Sequence, residues 1–405
     1  MNYLRGLRHW ALAFLMVAAL ALPGELMAQG NFVYTDDDIR GANTVSAFSV
    51  ASNGALKLVP GSPFLTGGTG NGGGWYGANR AAVSPVGNFL FVSNSVSNDV
   101  SVFTINPKTG VLKLVEGSPF ATGGSSGGAG IALSPTPNGM FLMAGNCSPS
   151  NVTVFRIGST GTLTPIKGSP FHSLGCADGI MVSPNGKFLA VGEDGAFQVE
   201  MFSIARDGSL TSLGVTPTSG GAGAAGVDIK CTSKTLYLGE FGSGGTNVEA
   251  FSISSKGALT PVPGSPFASE GGSERDVVLL GRIPGEMRIF VDNQKLLFVS
   301  NEISDTITVF TVASNGSLTL VDGSPFAMHT GAEEPAGMAT SWDGSLLYVA
   351  NWTGRVSVFR VAKNGALTEV AGSPFATGQA SGMHALTAFP QRTIPWLFAY
   401  FGLCP

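Results

Sequence analysis

Apolar residues along this chain come in short runs of strand length, and the runs recur in a fixed order. Residues 89–93, 188–191 and 346–350 are such runs. Each is followed by a second run that alternates apolar and polar positions, at 100–105, 199–204 and 356–361. Turns of one kind stand before them: Ser84-Pro85-Val86-Gly87, Ser183-Pro184-Asn185-Gly186 and Ser341-Trp342-Asp343-Gly344. A turn ending in Gly and a short run, such as 112–115 or 367–370, come after. Period-two alternation between Gly, Pro, Asn and Asp turns predicts antiparallel strands. No long stretch has a helical period.

The unit is repeated. Gly-Ser-Pro-Phe occurs six times, starting at Gly61, Gly117, Gly168, Gly264, Gly323 and Gly372, and a worn copy at residues 213–218 fills the widest gap. Seven units of four strands predict an all-β fold, a seven-bladed β-propeller of four-stranded antiparallel blades. One blade cannot bury both of its faces, whereas blades stacked around an axis can. The first unit begins directly at a second strand, residues 32–35. Its missing innermost strand is found at the far end, residues 383–389, so a C-terminal strand is expected to close the first blade. The propeller is expected over 29–389. Unit six carries an insertion at 269–285, and 390–405 is an apolar tail with no place in the repeat.

Residues 1–28 are different. Arg5, Arg8 and His9 precede an apolar run from Ala11 to Leu22, and Leu26-Met27-Ala28 offers a small residue at a cut. This pattern predicts a secretory signal peptide. The run is shorter than the roughly 20 residues a spanning helix needs. The product is therefore expected to be secreted or periplasmic, without a membrane span after cleavage, and a monomer. Export permits disulfides among Cys147, Cys176, Cys231 and Cys404. A net charge of -4 with no basic stripe argues against nucleic acid as a partner. No cofactor is expected: Gly68-Thr69-Gly70-Asn71-Gly72-Gly73 imitates a dinucleotide fingerprint, but no βαβ unit surrounds it. Asp36-Asp37-Asp38 lacks calcium-loop spacing and is expected to be a solvated acidic turn. The metal content is left open.

In such a propeller the second-to-third turns and the crossovers between blades share one face, the mouth. The Gly-rich crossovers 65–79 and 121–130 belong to it, as do His172, His329 and His384. Cys147 and Cys176 fall on this face in neighbouring blades and are expected to pair. One polar position recurs at the end of each second strand: Asp37, Asn94, Asn146, Glu193, Glu240, Asn301 and Asn351. These are expected to ring the mouth, with the Asn members bonding turn backbone or adopting a left-handed conformation. Asp37, Glu193 and Glu240 depart from Asn and are the better candidates for site carboxylates.

Phe91-Val92-Ser93-Asn94, Phe298-Val299-Ser300-Asn301, Tyr348-Val349-Ala350-Asn351 and the Ser-Pro-x-Gly turns resemble the lactonase-family propellers, which are related to bacterial 6-phosphogluconolactonases and to YVTN-type repeat proteins. The resemblance covers nearly the whole chain after the leader and implies hydrolysis of a small-molecule lactone. The family signature runs His, five residues, Pro-Asp, seven residues, Asp-Leu-Gly, one residue, Asp, four residues, Tyr. In unit four Asp178 falls at its His, Pro184-Asn185 at Pro-Asp, Glu193-Asp194-Gly195 at Asp-Leu-Gly, Phe197 at the second Asp and Phe202 at the Tyr. His384 lies six residues before Pro390, with Gln391 at the Asp. No unit carries the full set. A hydrolase needs a base for water and a donor for the oxyanion. Glu193 or Asp178 is the candidate base, and His384 or Arg80 the candidate donor. The alternative is a non-enzymatic secreted propeller that binds a protein or glycan, a cell-surface ligand, through its loop face.

Overall fold

The computed structural model describes residues 30–72, 80–125, 131–219, 223–241, 247–272, 274–279, 295–329, 333–379, 383 and 385–389. The leader, His384, Cys404 and the tail lie outside the described residues, as do 273 and 280–285 of the expected insertion in unit six, within which Glu274–Leu279 forms the innermost strand of blade 6. The architecture is all-β. Seven antiparallel sheets each run from an innermost to an outer strand, an eighth, two-stranded sheet pairs Gly41–Val45 with Phe64–Gly70, and no helix occurs among the described residues. Blade 2 shows the plan: Ala81–Val83, Phe89–Asn94, Asp99–Ile105 and Leu112–Leu114.

Burial follows from stacking. The second strands Phe89–Asn94, Phe141–Asn146, Leu296–Asn301 and Leu346–Asn351 are buried at every residue, because neighbouring blades cover both faces. That is why they read as continuous apolar runs. The three-residue outer strands are buried at one residue at most: at one in Leu56–Leu58 and Leu163–Pro165, and at none in Leu259–Pro261 and Leu367–Glu369. Seven apolar clusters fill the molecule, and each joins two adjacent blades. One of them packs Val33 and Phe48 of blade 1 against Tyr348, Val356 and Val358 of blade 7. Seven interfaces between seven blades make a closed ring. The latch is the pairing of Phe32–Asp36 with Ala385–Phe389, from Phe32 opposite Phe389 to Asp36 opposite Ala385.

The recurring Gly-Ser-Pro-Phe word is a fastener between the outer strand and the third strand. In each copy the Ser hydroxyl accepts a third-strand amide: Ala47 to Ser62 at 2.9 Å, Val102 to Ser118 at 2.8 Å, Val154 to Ser169 at 2.8 Å. Ser265, Ser324 and Ser373 repeat it. The Phe then starts a short strand against the head of the third strand, as Phe120 does opposite Val100. Blade 4 lacks the word. There the outer strand is continuous from Leu210 to Pro217 and pairs along the whole third strand, Gln198–Ile204, with one irregularity.

Candidate functional site

The mouth is built from the crossovers and the second-to-third turns. The seven recurrent polar residues stand there in register, but they are not exposed: Asp37 is 1% accessible, and Asn94, Asn146, Glu193, Glu240, Asn301 and Asn351 are 0%. The ring therefore lies beneath the surface of the mouth, and its Asn members have structural partners. In the Asn blades the side chain is a tie. Asn146 Nδ2 donates to Asn151 Oδ1 and Thr153 Oγ1, and Thr153 Oγ1 donates to the Thr122 carbonyl of the incoming crossover. Asn301 repeats this through Thr306, Thr308 and the Ser269 carbonyl. Asn94 does so through Ser101 and the Thr66 carbonyl. The crossover passes so close that a Cβ at Gly68, Gly124 or Gly271 would fall within 2.6 Å of the Asn side chain. The Gly-rich crossovers therefore owe these glycines to packing over the tie.

Blades 4 and 5 carry acids in both halves of the tie. Glu193 and Glu200 replace Asn and Ser/Thr in blade 4, and Glu240 and Glu249 do so in blade 5; all four are at most 2% accessible. The Leu174 amide lies between Glu193 Oε1 at 3.0 Å and Glu200 Oε2 at 3.1 Å. Gln198 Nε2 donates to Glu193 Oε2, and Ser212 Oγ to Glu200 Oε1. Burial pushes the Glu193 carboxyl up to about 7, and the adjacent Glu200 adds to the rise. Two carboxyl groups thus meet around one amide. In blade 5 the Ser219 amide and hydroxyl both donate to Glu249 Oε1.

Asp178 stands beside this pair. The innermost strand of blade 4, Cys176–Val182, pairs Ala177 with Glu193 and Gly179 with Gly192, so Asp178 is the extra residue of a β-bulge. Bulges re-aim a side chain at the end of a strand. Blade 6 has a bulge at the same register, where the backbone position is that of Arg275. Asp178 is 4% accessible. Its strand begins at Cys176, which is disulfide-bonded to Cys147 of blade 3. Cys231 is also in a disulfide.

The second acidic cluster is in blade 1. Asp36, Asp37 and Asp38 are all at most 1% accessible, so the expectation of a solvated turn is corrected. Asp36 accepts Asn43 Nδ2, the Asp38 amide and Ser93 Oγ. Asp37 accepts the hydroxyls of Thr35, Thr44 and Ser46. Arg80 is fully buried, with Nη1 3.1 Å from Asp38 Oδ2. It is committed to the acidic cluster, which corrects its expected role as a donor to substrate. Burial raises Asp36 to about 8 and Asp37 to about 6; Asp38 is raised by burial against the pull of Arg80.

Glu200 and Glu249 escaped the reading of the sequence. The signal was present: Asn94 with Ser101, Asn146 with Thr153 and Asn301 with Thr308 are seven residues apart, as are Glu193 and Glu200. Among the described residues no group of three or more His, Cys, Asp and Glu side chains is arranged to hold a metal ion.

Residues 42–178 and 180–383 match the family described as lactonase, 7-bladed beta-propeller. The chain belongs to the lactonase family. No curated protein matches it. Among solved structures it is similar to the periplasmic gluconolactonase of Pseudomonas aeruginosa, at 18% identity and a TM-score of 0.69 over 90% of this chain and 99% of that one. It is also similar to a Bacteroides fragilis protein provisionally assigned as a 6-phosphogluconolactonase, at 19% identity and a TM-score of 0.68 over 91% of this chain and 100% of that one. At these identities the likeness to solved structures is one of fold. Within this lactonase-family chain the mouth of blade 4 joins a bulged acid, a buried carboxyl pair and a disulfide.

Proposed function

We propose that the protein is an exported hydrolase of uncharged lactones, acting at the mouth beside blade 4. Membership of the lactonase family is the observation that carries this reading. Asp178 is the base: its carboxylate takes a proton from water as the water oxygen attacks the lactone carbonyl, and it returns that proton to the ring oxygen as the acyl C–O bond breaks, leaving a carboxylic acid and an alcohol. Glu193 and Glu200 position it by holding the crossover that leads into its strand. His384 is assigned as the oxyanion donor, because it precedes Pro390 by the spacing that separates Asp178 from Pro184. The uncharged substrate follows from the acidity of the mouth. Asp194, Glu270, Glu302, Asp305, Glu333 and Glu334 are all at least partly exposed there, against the exposed cations Arg40 and Arg355. A phosphorylated lactone would meet repulsion. The leader sequence and the Cys147–Cys176 disulfide support export to an oxidising compartment, where the protein acts as a monomer without a membrane span.

The test is hydrolysis of gluconolactone and 6-phosphogluconolactone by the purified exported protein. Turnover of the uncharged lactone is expected, with Asp178→Asn lowering kcat by about 10²–10⁴ and leaving Tm unchanged. Full activity in Asp178→Asn overturns the site, and preference for the phosphorylated lactone overturns the substrate class. No turnover across a lactone panel leaves the alternative, a non-enzymatic propeller that binds a protein or glycan at this face. Burial of the recurrent polar residues and the commitment of Arg80 to Asp38 favour that second reading.

A further inference from the structure

The two faces of the disc carry opposite charge. Every lysine of the chain lies in a first-to-second turn, in a third-to-fourth turn or along the outer rim; none lies in a crossover or a second-to-third turn. On the tight-turn face Lys108, Lys187, Arg206, Lys234, Lys256 and Lys363 are exposed, spread over blades 2, 4, 5 and 7. Only Asp207 and Asp343 oppose them among the described residues of that face. The mouth shows the reverse balance described above. A chain of net charge -4 thus hides one basic plane.

That plane also has apolar tips. Val86, in the first such turn of blade 2, is 54% accessible, and Met140, at the next turn round, is 42%. They belong to adjacent turns, since the Val86 Cβ lies 2.9 Å from where a side chain on Gly139 would start. Outside blade 6, whose first-to-second connection spans 280–295, the turns of this face are short, and the described cations are spread over four blades instead of lining one groove. A thread-like polyanion is best held by a groove or stripe. A planar array of cations with protruding apolar side chains fits a flat anionic sheet.

We propose that the tight-turn face docks on an anionic phospholipid bilayer, holding the mouth toward the aqueous side. Cations near such a surface contribute additively, and their effect is screened by salt. The acidic mouth is repelled from the same surface, so the charge pattern sets orientation as well as attachment. This inference is independent of what the mouth binds.

Sedimentation of the exported protein with vesicles tests it. Binding is expected to phosphatidylglycerol–phosphatidylcholine vesicles, lost on going from low to high salt, with little binding to pure phosphatidylcholine. The triple variant Lys187→Glu, Lys234→Glu, Lys256→Glu should bind at least tenfold more weakly. The rim variant Lys57→Glu, Lys113→Glu, Lys167→Glu, with the same change in net charge, should retain most of the binding. Thermal melts check folding, and a Lys→Gln version of the first triple serves if the Glu version does not fold. Four results would overturn the proposal: equal binding to neutral vesicles, no binding to anionic ones, equal loss in both triple variants, or tighter binding to soluble polyphosphate than to vesicles.

Discussion

Blades 3 and 4 occupy neighbouring places in the ring and solve the same problem with different chemistry. In blade 3 a neutral chain, Asn146 to Thr153 to the Thr122 carbonyl, ties the incoming crossover down. In blade 4 the same two positions are Glu193 and Glu200, which close on the Leu174 amide. The neutral tie matches each donor to an acceptor. The acidic one brings two acceptors together around a single amide, and burial pushes the Glu193 carboxyl up to about 7. The neutral form shows what the fold requires, so the acids mark what blade 4 adds to it. That addition sits beside Asp178, which makes blade 4 the part of the mouth with chemistry beyond architecture.

Experiments can widen or erase that contrast. The largest effect should come from cutting the bond between the two blades. Cys147 and Cys176 are 29 residues apart, and replacing both by Ser should cost about 3–4 kcal/mol in denaturant unfolding for a loop of that length. A loss below about 1 kcal/mol would mean that the crossovers are fixed without the disulfide.

Next is the dependence on pH. Glu193 is raised to about 7 and Asp36 to about 8, far above carboxyls in an unfolded chain. Between about pH 4 and pH 8 the folded protein therefore binds more protons than the unfolded chain. The stabilisation is complete at the acid end and is lost as pH rises through the folded-state values. Melting temperature should fall from pH 5 to pH 9, by an amount equivalent to on the order of 2 kcal/mol. Glu193→Gln should flatten the profile and raise Tm at pH 9. The counterpart Asn146→Ala should leave the slope alone. A profile that rises toward pH 9 would contradict the upward shifts of Glu193 and Asp36.

The neutral ties should respond to truncation. Asn301→Ala removes the donor to Thr306 and Thr308 and should cost about 1–3 kcal/mol at any pH. Smallest is the fastener itself: Ser265→Ala loses one bond, from the Ala250 amide, and should cost about 0.5–1.5 kcal/mol. A larger cost for Ser265→Ala than for Asn301→Ala would reverse the ranking of the two devices.

The fold was legible because its determinants are local and repeated. Gly-Ser-Pro-Phe marks each fastener, and the strand missing before Phe32 is the one present at Ala385–Phe389. The site was less legible for a definite reason. A recurrent Asn at a strand end has the same appearance whether it faces a ligand or a neighbouring backbone. Only the close approach of Gly124 and Gly271 shows that these Asn side chains lie under the crossovers. Arg80 and Asp38 are 42 residues apart and in different blades, so their pairing belongs to the assembled ring and leaves no local mark. The bulge at Asp178 is likewise a property of pairing, and no residue type announces it.

The latch between Phe32–Asp36 and Ala385–Phe389 also fixes a moment in the life of the molecule. Blade 1 lacks its innermost strand until residue 389 has been synthesised, so a growing chain can stack blades but cannot seal the circle. A polypeptide arranged in this way stays open-ended throughout translation, and the final act of its assembly is the meeting of its two extremities.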